Sequence, residues 1–135
     1  MSYELCQFTA RGDSQGWLIA LEEGRQVPFT VKRVYFIYGT NSGVTRGKHA
    51  HKKLRQLAIC IHGSCRFLMD DGVSKQQIVL DQKTQGLIIE PMVWHEMDDF
   101  SHDCVLLVLA SDLYEESDYI RSRSAFDSAA SKKRS

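Results

Sequence analysis

The feature that most constrains this chain is a succession of short, strand-like runs with turn-forming residues between them. Apolar, β-branched and aromatic residues concentrate in residues 29–38, 56–62, 64–69, 86–90 and 104–111. Gly, Asn, Asp or Pro lies between each run and the next. Many short strands at close spacing favour an all-β sandwich or barrel.

A helical pattern follows only near the end of the chain. Tyr119, Ile120 and Phe126 have helical spacing, and Asp118 has the side chain of an N-cap. A length of 135 residues fits one domain. We therefore predict a single domain over residues 1–135, with a barrel at about 16–112 and a short C-terminal helix and tail at about 113–135.

Two of the predicted strands are apolar on both faces, at residues 57–61 and 105–109. The outer face of a small barrel normally meets water and is more polar. These strands therefore predict a cover, and a second subunit is the first candidate. The alternative is that the C-terminal helix covers them.

Composition narrows the classes of partner and the compartment. Lys and Arg together number 17, as do Asp and Glu, so the formal net charge is zero. We therefore expect no nucleic-acid or membrane partner. The four cysteines have no C-x-x-C spacing and no apolar stretch is long enough to span a bilayer, which favours the cytoplasm.

The most informative polar residues are His49 and His51, in a segment that turns apolar after Lys53. Side chains at i and i+2 of a strand point to the same face, so both imidazoles would enter the barrel. Such a pair can bind a metal or transfer protons near neutral pH. The residues alone leave both open.

Two blocks of this sequence resemble the cupin superfamily of double-sheet jelly-roll barrels. The first runs from Gly43 through His49 and His51 to Gly63, and the second includes Pro91 and His95. Cupins usually carry Glu where this chain has Gln56. A neutral amide replaces the carboxylate of the metal set, so we expect no metal and no cofactor, which disfavours a metal-dependent dioxygenase.

A narrower resemblance covers nearly the whole chain, from Gly16 to Phe126. The segments KRVY (32–35), RGKHAHKK (46–53), PMVWHEM (91–97), ASD (110–112) and DYIR (118–121) carry it. They are similar to the dTDP-4-oxo-6-deoxy-D-glucose 3,4-ketoisomerases. That resemblance implies a homodimeric, metal-independent cupin that acts on a dTDP-sugar in the biosynthesis of 3-amino-3,6-dideoxyhexoses for surface polysaccharides such as O-antigen, or for antibiotics.

Site residues follow from the chemistry and the resemblance together. Moving a ketone from C4 to C3 needs proton transfer, and we predict that His49 and His51 perform it and that Tyr35 donates to a sugar oxygen. Guanidinium groups bind phosphate in pairs of hydrogen bonds, which favours Arg33 and Arg46 for the diphosphate. The full predicted substrate-binding set is Arg33, Arg46, Trp94, His95, Gln56, Lys52 and Tyr119.

Three other points stay open at this level. The aromatic that stacks on the base is Tyr35, Tyr38, Trp17 or Tyr119. The sequence does not fix the configuration at C4. An epimerase that inverts C3 or C5 beside the same ketone, and a non-catalytic cupin that binds a sugar nucleotide, are the alternative functions.

Overall fold

The computed structural model describes residues 3–134. Each of the five runs named above contains a strand, and residues 3–134 form seven further strands, four of them near the two ends of the chain. The elements are β1 (Glu4–Gln7), β2 (Arg11–Asp13), β3 (Gly16–Leu18), β4 (Arg33–Tyr38), β5 (Arg46–His51), β6 (Gln56–His62), β7 (Cys65–Asp70), β8 (Lys75–Leu80), β9 (Gln85–Ile89), β10 (Trp94–Asp98), β11 (Val105–Ala110), a 3₁₀ turn (Glu116–Asp118), β12 (Tyr119–Ile120) and α1 (Arg123–Arg134).

Two five-stranded antiparallel sheets face each other and enclose the main core. Their strand orders are β1-β9-β6-β11-β4 and β12-β5-β10-β7-β8, while β2 and β3 form a separate hairpin. The inward residues of both sheets make one apolar cluster, which includes Phe67, Leu87 and Leu106. This is the predicted all-β, double-sheet jelly roll with a short C-terminal helix.

The predicted start of the helix is wrong. Tyr119 and Ile120 form β12, which pairs with His51 and Ala50, and the helix begins only at Arg123. Ser122, not Asp118, lies at the N-cap, where its Oγ accepts a hydrogen bond from the Ala125 amide at 3.2 Å. Pairing with β5 provides hydrogen bonds to the backbone N–H and C=O groups of this segment, which would otherwise need partners within a helix.

The doubly apolar strands are covered in part by the chain's own N-terminal segment. Phe8 and Val27 are buried against Leu57, Ile59 and Leu109 on the outside of the first sheet. The alternative cover, the C-terminal helix, is wrong for these strands. The helix packs on the second sheet, where Phe126 and Ala130 meet Ala50, Trp94 and Ile120.

Part of the same outer surface stays exposed. The alternation along β4 turns Arg33 and Tyr35 inward and leaves Val34, Phe36 and Tyr38 between 55% and 70% exposed. Strand β4 is also an edge strand.

None of the helices within residues 3–134 is long and apolar enough to cross a membrane.

The turn between β6 and β7 depends on Gly63. Its φ is +70°, and an added Cβ would lie 2.3 Å from Ser101 Oγ and 2.9 Å from Cys104 Cα. Gly39 has nearly the same φ, +69°, with no atom within 4 Å of an added Cβ. Alanine substitution at the two positions therefore distinguishes the free-energy cost of the backbone conformation, which both share, from the cost of steric crowding, which only Gly63 has.

We expect Gly39→Ala to lower the free energy of unfolding by about 1 kcal/mol, from the left-handed conformation alone. Gly63→Ala should lower it by about 3 kcal/mol, because crowding adds to the same backbone cost. Urea denaturation of both variants measures the difference. Equal losses in the free energy of unfolding would show that the turn at Gly63 rearranges to accommodate the added methyl group at no further cost.

Candidate active site

Antiparallel pairing of β5 with β10 brings three histidines together. His49 and His51 lie on one face of β5, and His95 of β10 is the direct cross-strand partner of His49. The ring centroids are 4.9 Å apart for His49 and His51, and 4.7 Å apart for His49 and His95. The short strand β12 then places Tyr119 opposite His51, with its ring 4.9 Å from that of His49 and 4.3 Å from that of His51.

Backbone carbonyls fix the protonated nitrogen on two of the imidazoles. His49 Nδ1 lies 2.9 Å from Gly47 O, and His95 Nδ1 lies 3.1 Å from Val93 O. Since a carbonyl only accepts, Nδ1 must carry the proton on each ring. In the neutral rings, Nε2 is therefore left with a free lone pair, the form that a general base requires.

Burial keeps these imidazoles neutral. Burial is the largest cause and the neighbouring His49 is a second one, and together they lower the pKa of His51 and of His95 to about 3 each. The pKa of His49, which is half-buried, falls below its usual 6.5 mainly through burial. All three rings are thus uncharged at neutral pH.

Tyr35 and Gln56 form a fixed polar pair inside the barrel. The Tyr35 hydroxyl donates to Gln56 Oε1 at 2.6 Å, and Gln56 is only 2% exposed. Burial raises the pKa of Tyr35 to about 12, so the phenol keeps its proton at neutral pH. Arg33 lies beside this pair, with its guanidinium carbon 5.2 Å from the centre of the Tyr35 ring.

These groups line one open cavity of about 330 Å³. Its polar lining consists of Arg33, Tyr35, Arg46, His49, Gln56, His95, Tyr119 and Arg121. Arg33 Nε is buried and has no hydrogen-bond partner among the described residues. A buried, unpaired guanidinium N–H beside a cavity is a donor set for an anionic ligand.

Two of the predicted substrate-binding residues do not line this cavity. Trp94 precedes His95 and therefore faces the other side of β10, where it is 4% exposed and its ring lies 5.8 Å from that of Phe126. Lys52 follows His51 and turns outward, and its Nζ donates to Ser117 O at 3.0 Å. Lys52 and His51 instead line a second cavity of about 440 Å³.

Sequence reasoning missed three polar residues near the histidines. Arg121 lines the cavity, its guanidinium carbon lies 4.1 Å from the centre of the Tyr119 ring, and it binds Glu116 through two hydrogen bonds of 2.7 and 3.0 Å. Asp118 Oδ2 lies 3.4 Å from His51 Nδ1, slightly long for a hydrogen bond. The spacing of Tyr119 and Arg121 could have indicated that Arg121 faces the cavity, because side chains at i and i+2 share a face in an extended segment.

The three imidazoles are also close enough for a metal ion. One ring nitrogen of each lies within 4.8 Å of the others. The fourth position of a cupin set is the amide of Gln56, whose oxygen already accepts the Tyr35 hydrogen bond. The donor set is therefore neutral and partly engaged, which suits a divalent cation less than a set with a carboxylate does.

The buried histidines predict an acid-sensitive fold. Below pH 6.5 the unfolded chain takes up protons that native His51 and His95 do not, so the free energy of unfolding falls as the pH falls. Between pH 6.5 and about 5.5 we expect a loss of about 1 kcal/mol for each of these histidines. Urea denaturation at the two pH values measures it.

The matched comparison is His95→Gln with His102→Gln, a change in the exposed loop before β11. His95→Gln should remove about half of the loss. His102→Gln should leave it unchanged. A full pH dependence in His95→Gln would contradict the assignment.

Comparisons with known proteins agree with this geometry. Residues 1–131 match the family FdtA (WxcM-like, C-terminal). A TDP-4-oxo-6-deoxy-alpha-D-glucose-3,4-oxoisomerase of Aneurinibacillus thermoaerophilus is 52% identical over 121 residues, which cover 90% of this chain and 87% of the relative.

Solved structures of the same kind superpose closely. A 3,4-ketoisomerase from Helicobacter canadensis has a TM-score of 0.94 at 43% identity, covering 97% of this chain and 98% of the other. A mutant of the 3,4-ketoisomerase QdtA from Thermoanaerobacterium thermosaccharolyticum, in complex with TDP-4-keto-6-deoxyglucose, also has a TM-score of 0.94, at 40% identity over 97% and 95% of the two chains. This chain belongs to the FdtA (WxcM-like, C-terminal) family of sugar-nucleotide 3,4-ketoisomerases.

Proposed function

We propose that this protein is a 3,4-ketoisomerase that converts dTDP-4-keto-6-deoxy-D-glucose to a dTDP-3-keto-6-deoxyhexose. The observation that carries the proposal is the cluster of neutral imidazoles beside a cavity that holds three arginines. The substrate class is supported by the relative that acts on TDP-4-oxo-6-deoxyglucose and by the QdtA complex with the same sugar nucleotide.

The reaction needs no external oxidant and has two steps, each of which removes one proton and delivers another. A base removes the proton from C3, the C–H electrons form a C3=C4 double bond, and the C4 oxygen gains a proton. The O3 proton then leaves, the C3 carbonyl forms, and C4 takes up a proton. An imidazole that is neutral at pH 7 can accept the proton removed in one step and donate it in the other, so such groups serve both steps.

His49 is the leading acid–base residue and His51 its partner. His49 Nε2 carries the free lone pair, and the ring lines the cavity. The adjacent His51 ring lies 4.9 Å away, centroid to centroid, so the two can divide removal and return of the proton. His95 supplies a further lone pair that accepts a hydrogen bond from a sugar hydroxyl.

Tyr35 stabilises the enediolate as a neutral donor. With a pKa of about 12 it stays protonated, and its bond to Gln56 fixes the position of the hydroxyl. A substrate oxygen at the cavity then takes the place of Gln56 as acceptor. Fixed donors aimed at developing charge are among the strongest contributions to catalysis.

Arg33 and Arg46 hold the diphosphate, and Tyr119 packs against the sugar. Arg33 offers the unpaired buried Nε, and Arg46 is exposed at the same cavity. The contact of Lys52 with Ser117 O ties β5 to the segment before β12, and Trp94 anchors β10 to the helix. We assign these last two residues to positioning the site.

The product carries a ketone at C3, the functional group that an aminotransferase would replace. A role before transamination, in the biosynthesis of 3-amino-3,6-dideoxyhexoses, follows from that chemistry. We place the enzyme in the cytoplasm, where a reducing environment keeps its four cysteines as thiols.

Loss of the general base should slow the reaction strongly. We expect His49→Asn to reduce kcat by about 10²–10⁴-fold with the fold intact, and His102→Asn to leave it unchanged. The measurement is an NMR time course with dTDP-4-keto-6-deoxy-D-glucose in D₂O. Wild type should give a 3-keto species with deuterium at C4, and in a parallel time course in H₂O the coupling between H4 and H5 reports the configuration at C4.

The same time course distinguishes the alternative functions. Deuterium exchange with inversion at C3 or C5 and an unmoved ketone would make the protein an epimerase. Tight binding without exchange would make it a non-catalytic binding protein. Turnover that a chelator abolishes would assign the histidines to a metal, whereas our proposal expects turnover to persist.

We further propose that the protein is a homodimer. The support is a continuous apolar surface on the first sheet, where Phe36 of β4 is paired with Leu107 of β11. Leu107 shares an apolar groove with Trp17, Leu18 and Ile61, which are 69%, 60% and 39% exposed. Together with Val34 and Tyr38, this surface at an edge strand suits a second copy of the chain.

A charge in this surface should separate the subunits. We expect wild type to run at twice the chain mass of 15.4 kDa in sedimentation equilibrium and Phe36→Asp to shift toward the monomer. Val79→Asp is the control, because Val79 is equally exposed, at 57%, on the far edge strand β8. A monomeric wild type would overturn the dimer.

A further inference from the structure

Three cysteine thiols meet at the end of the barrel away from the histidines. Cys60 is in β6, Cys65 begins β7, and Cys104 directly precedes β11. The Cys60 and Cys104 sulfurs are 3.5 Å apart, and all three sulfurs lie within 4.8 Å of one another. Cys60 is four residues from Gln56, or about 13 Å along the strand, so this cluster is separate from the candidate active site.

The cluster is enclosed. Cys60 and Cys65 are each 1% exposed and Cys104 is 4% exposed, and their neighbours in the core include Leu80, Phe100 and Leu106. Apolar packing alone would require only that three small side chains fill this space. A metal site would also require three sulfur atoms from different parts of the chain to meet at one point, and this is what the structure shows.

We propose that Cys60, Cys65 and Cys104 form a binding site for one thiophilic d¹⁰ divalent cation, of the zinc and cadmium class. Zn–S bonds of about 2.3 Å put the sulfurs of a three-thiolate site about 3.8–4.0 Å apart. The Cys60–Cys104 separation of 3.5 Å is slightly below this range, and none of the three separations exceeds 4.8 Å. The three sulfurs are therefore close to the spacing that such a site needs.

Charge favours a divalent ion over a monovalent one. Binding replaces three thiol protons, so M²⁺ and three RSH give M(SR)₃⁻ and three H⁺. The product carries one negative charge with a divalent ion and two with Cu⁺. In apolar surroundings the smaller net charge costs less.

Ion binding replaces one hydrogen bond of the cluster. Cys60 donates to His62 O at 3.2 Å, and that bond is lost when the ion binds. Because the site is closed, the ion enters as the chain folds or when the turn at Gly63 opens.

The test is refolding of the full chain with a reductant and one equivalent of Cd²⁺, followed by gel filtration. We expect one retained cadmium per chain, an ultraviolet thiolate-to-cadmium charge-transfer band, and a thermal midpoint at least about 5 °C higher than without metal. Refolding with Zn²⁺ in place of Cd²⁺ should likewise retain one ion per chain. Absence of the band, or no retained metal, would overturn the proposal.

Variants identify the ligands. Cys104→Ser and Cys65→Ser should each weaken cadmium binding at least about tenfold. Cys6→Ser, outside the cluster, should change nothing, and the double variant His49→Asn/His51→Asn should keep the band because its ligands are sulfur. Loss of the band in either of these controls would place the metal elsewhere, and retention of Cu⁺ but of neither Cd²⁺ nor Zn²⁺ would contradict the divalent assignment.

Discussion

The site depends on the antiparallel pairing of β5 with β10. One backbone register sets His95 against His49, and the i, i+2 relation within β5 adds His51. The register is interrupted by a bulge between His95 and Glu96, and the opposing segment contains Gly47 with φ +84° and Lys48 with φ +58°. An added Cβ at Gly47 would lie 3.0 Å from His95 O, so the glycine permits this close approach. A strained segment thus positions the base.

Burial outweighs the nearby carboxylates of Asp118 and Glu116 in the electrostatics of the cavity. Desolvation lowers the pKa of each imidazole, and the positive charge of Arg121 acts in the same direction on His49 and His51. The same arginine field favours an anionic ligand and an enediolate. A neutral base and a stabilised anion are therefore consequences of one arrangement. Glu116, held by Arg121 and Tyr114, partly offsets the field at His49.

Local pattern was enough to predict the strands, the inward face of β4 and the shared face of His49 and His51. The local pattern failed where pairing between distant segments determines the secondary structure. Tyr119 and Ile120 fit a helical period, but their pairing with β5 makes them a strand, and this pairing brings Arg121 and Asp118 to the histidines. The position of Trp94 follows from alternation: its neighbour His95 faces inward, so Trp94 faces the helix. The N-terminal cover of β6 and β11 left no periodic signal, since residues 19–31 pack with little regular structure.

Strand β6 connects the two ends of the barrel. Its inward residues run from Gln56, which holds Tyr35 in the open cavity, through Ala58 to Cys60 at the thiol cluster. A polar group on such a strand stays in place only if the strand itself cannot slide or tilt. At the cavity end Gln56 is held by its bond to Tyr35 and by the pairing of β6 with Ile89 of β9 and Ala110 of β11. An ion shared by Cys60, Cys65 and Cys104 would tie the opposite end of β6 to the start of β7 and to the residue before β11.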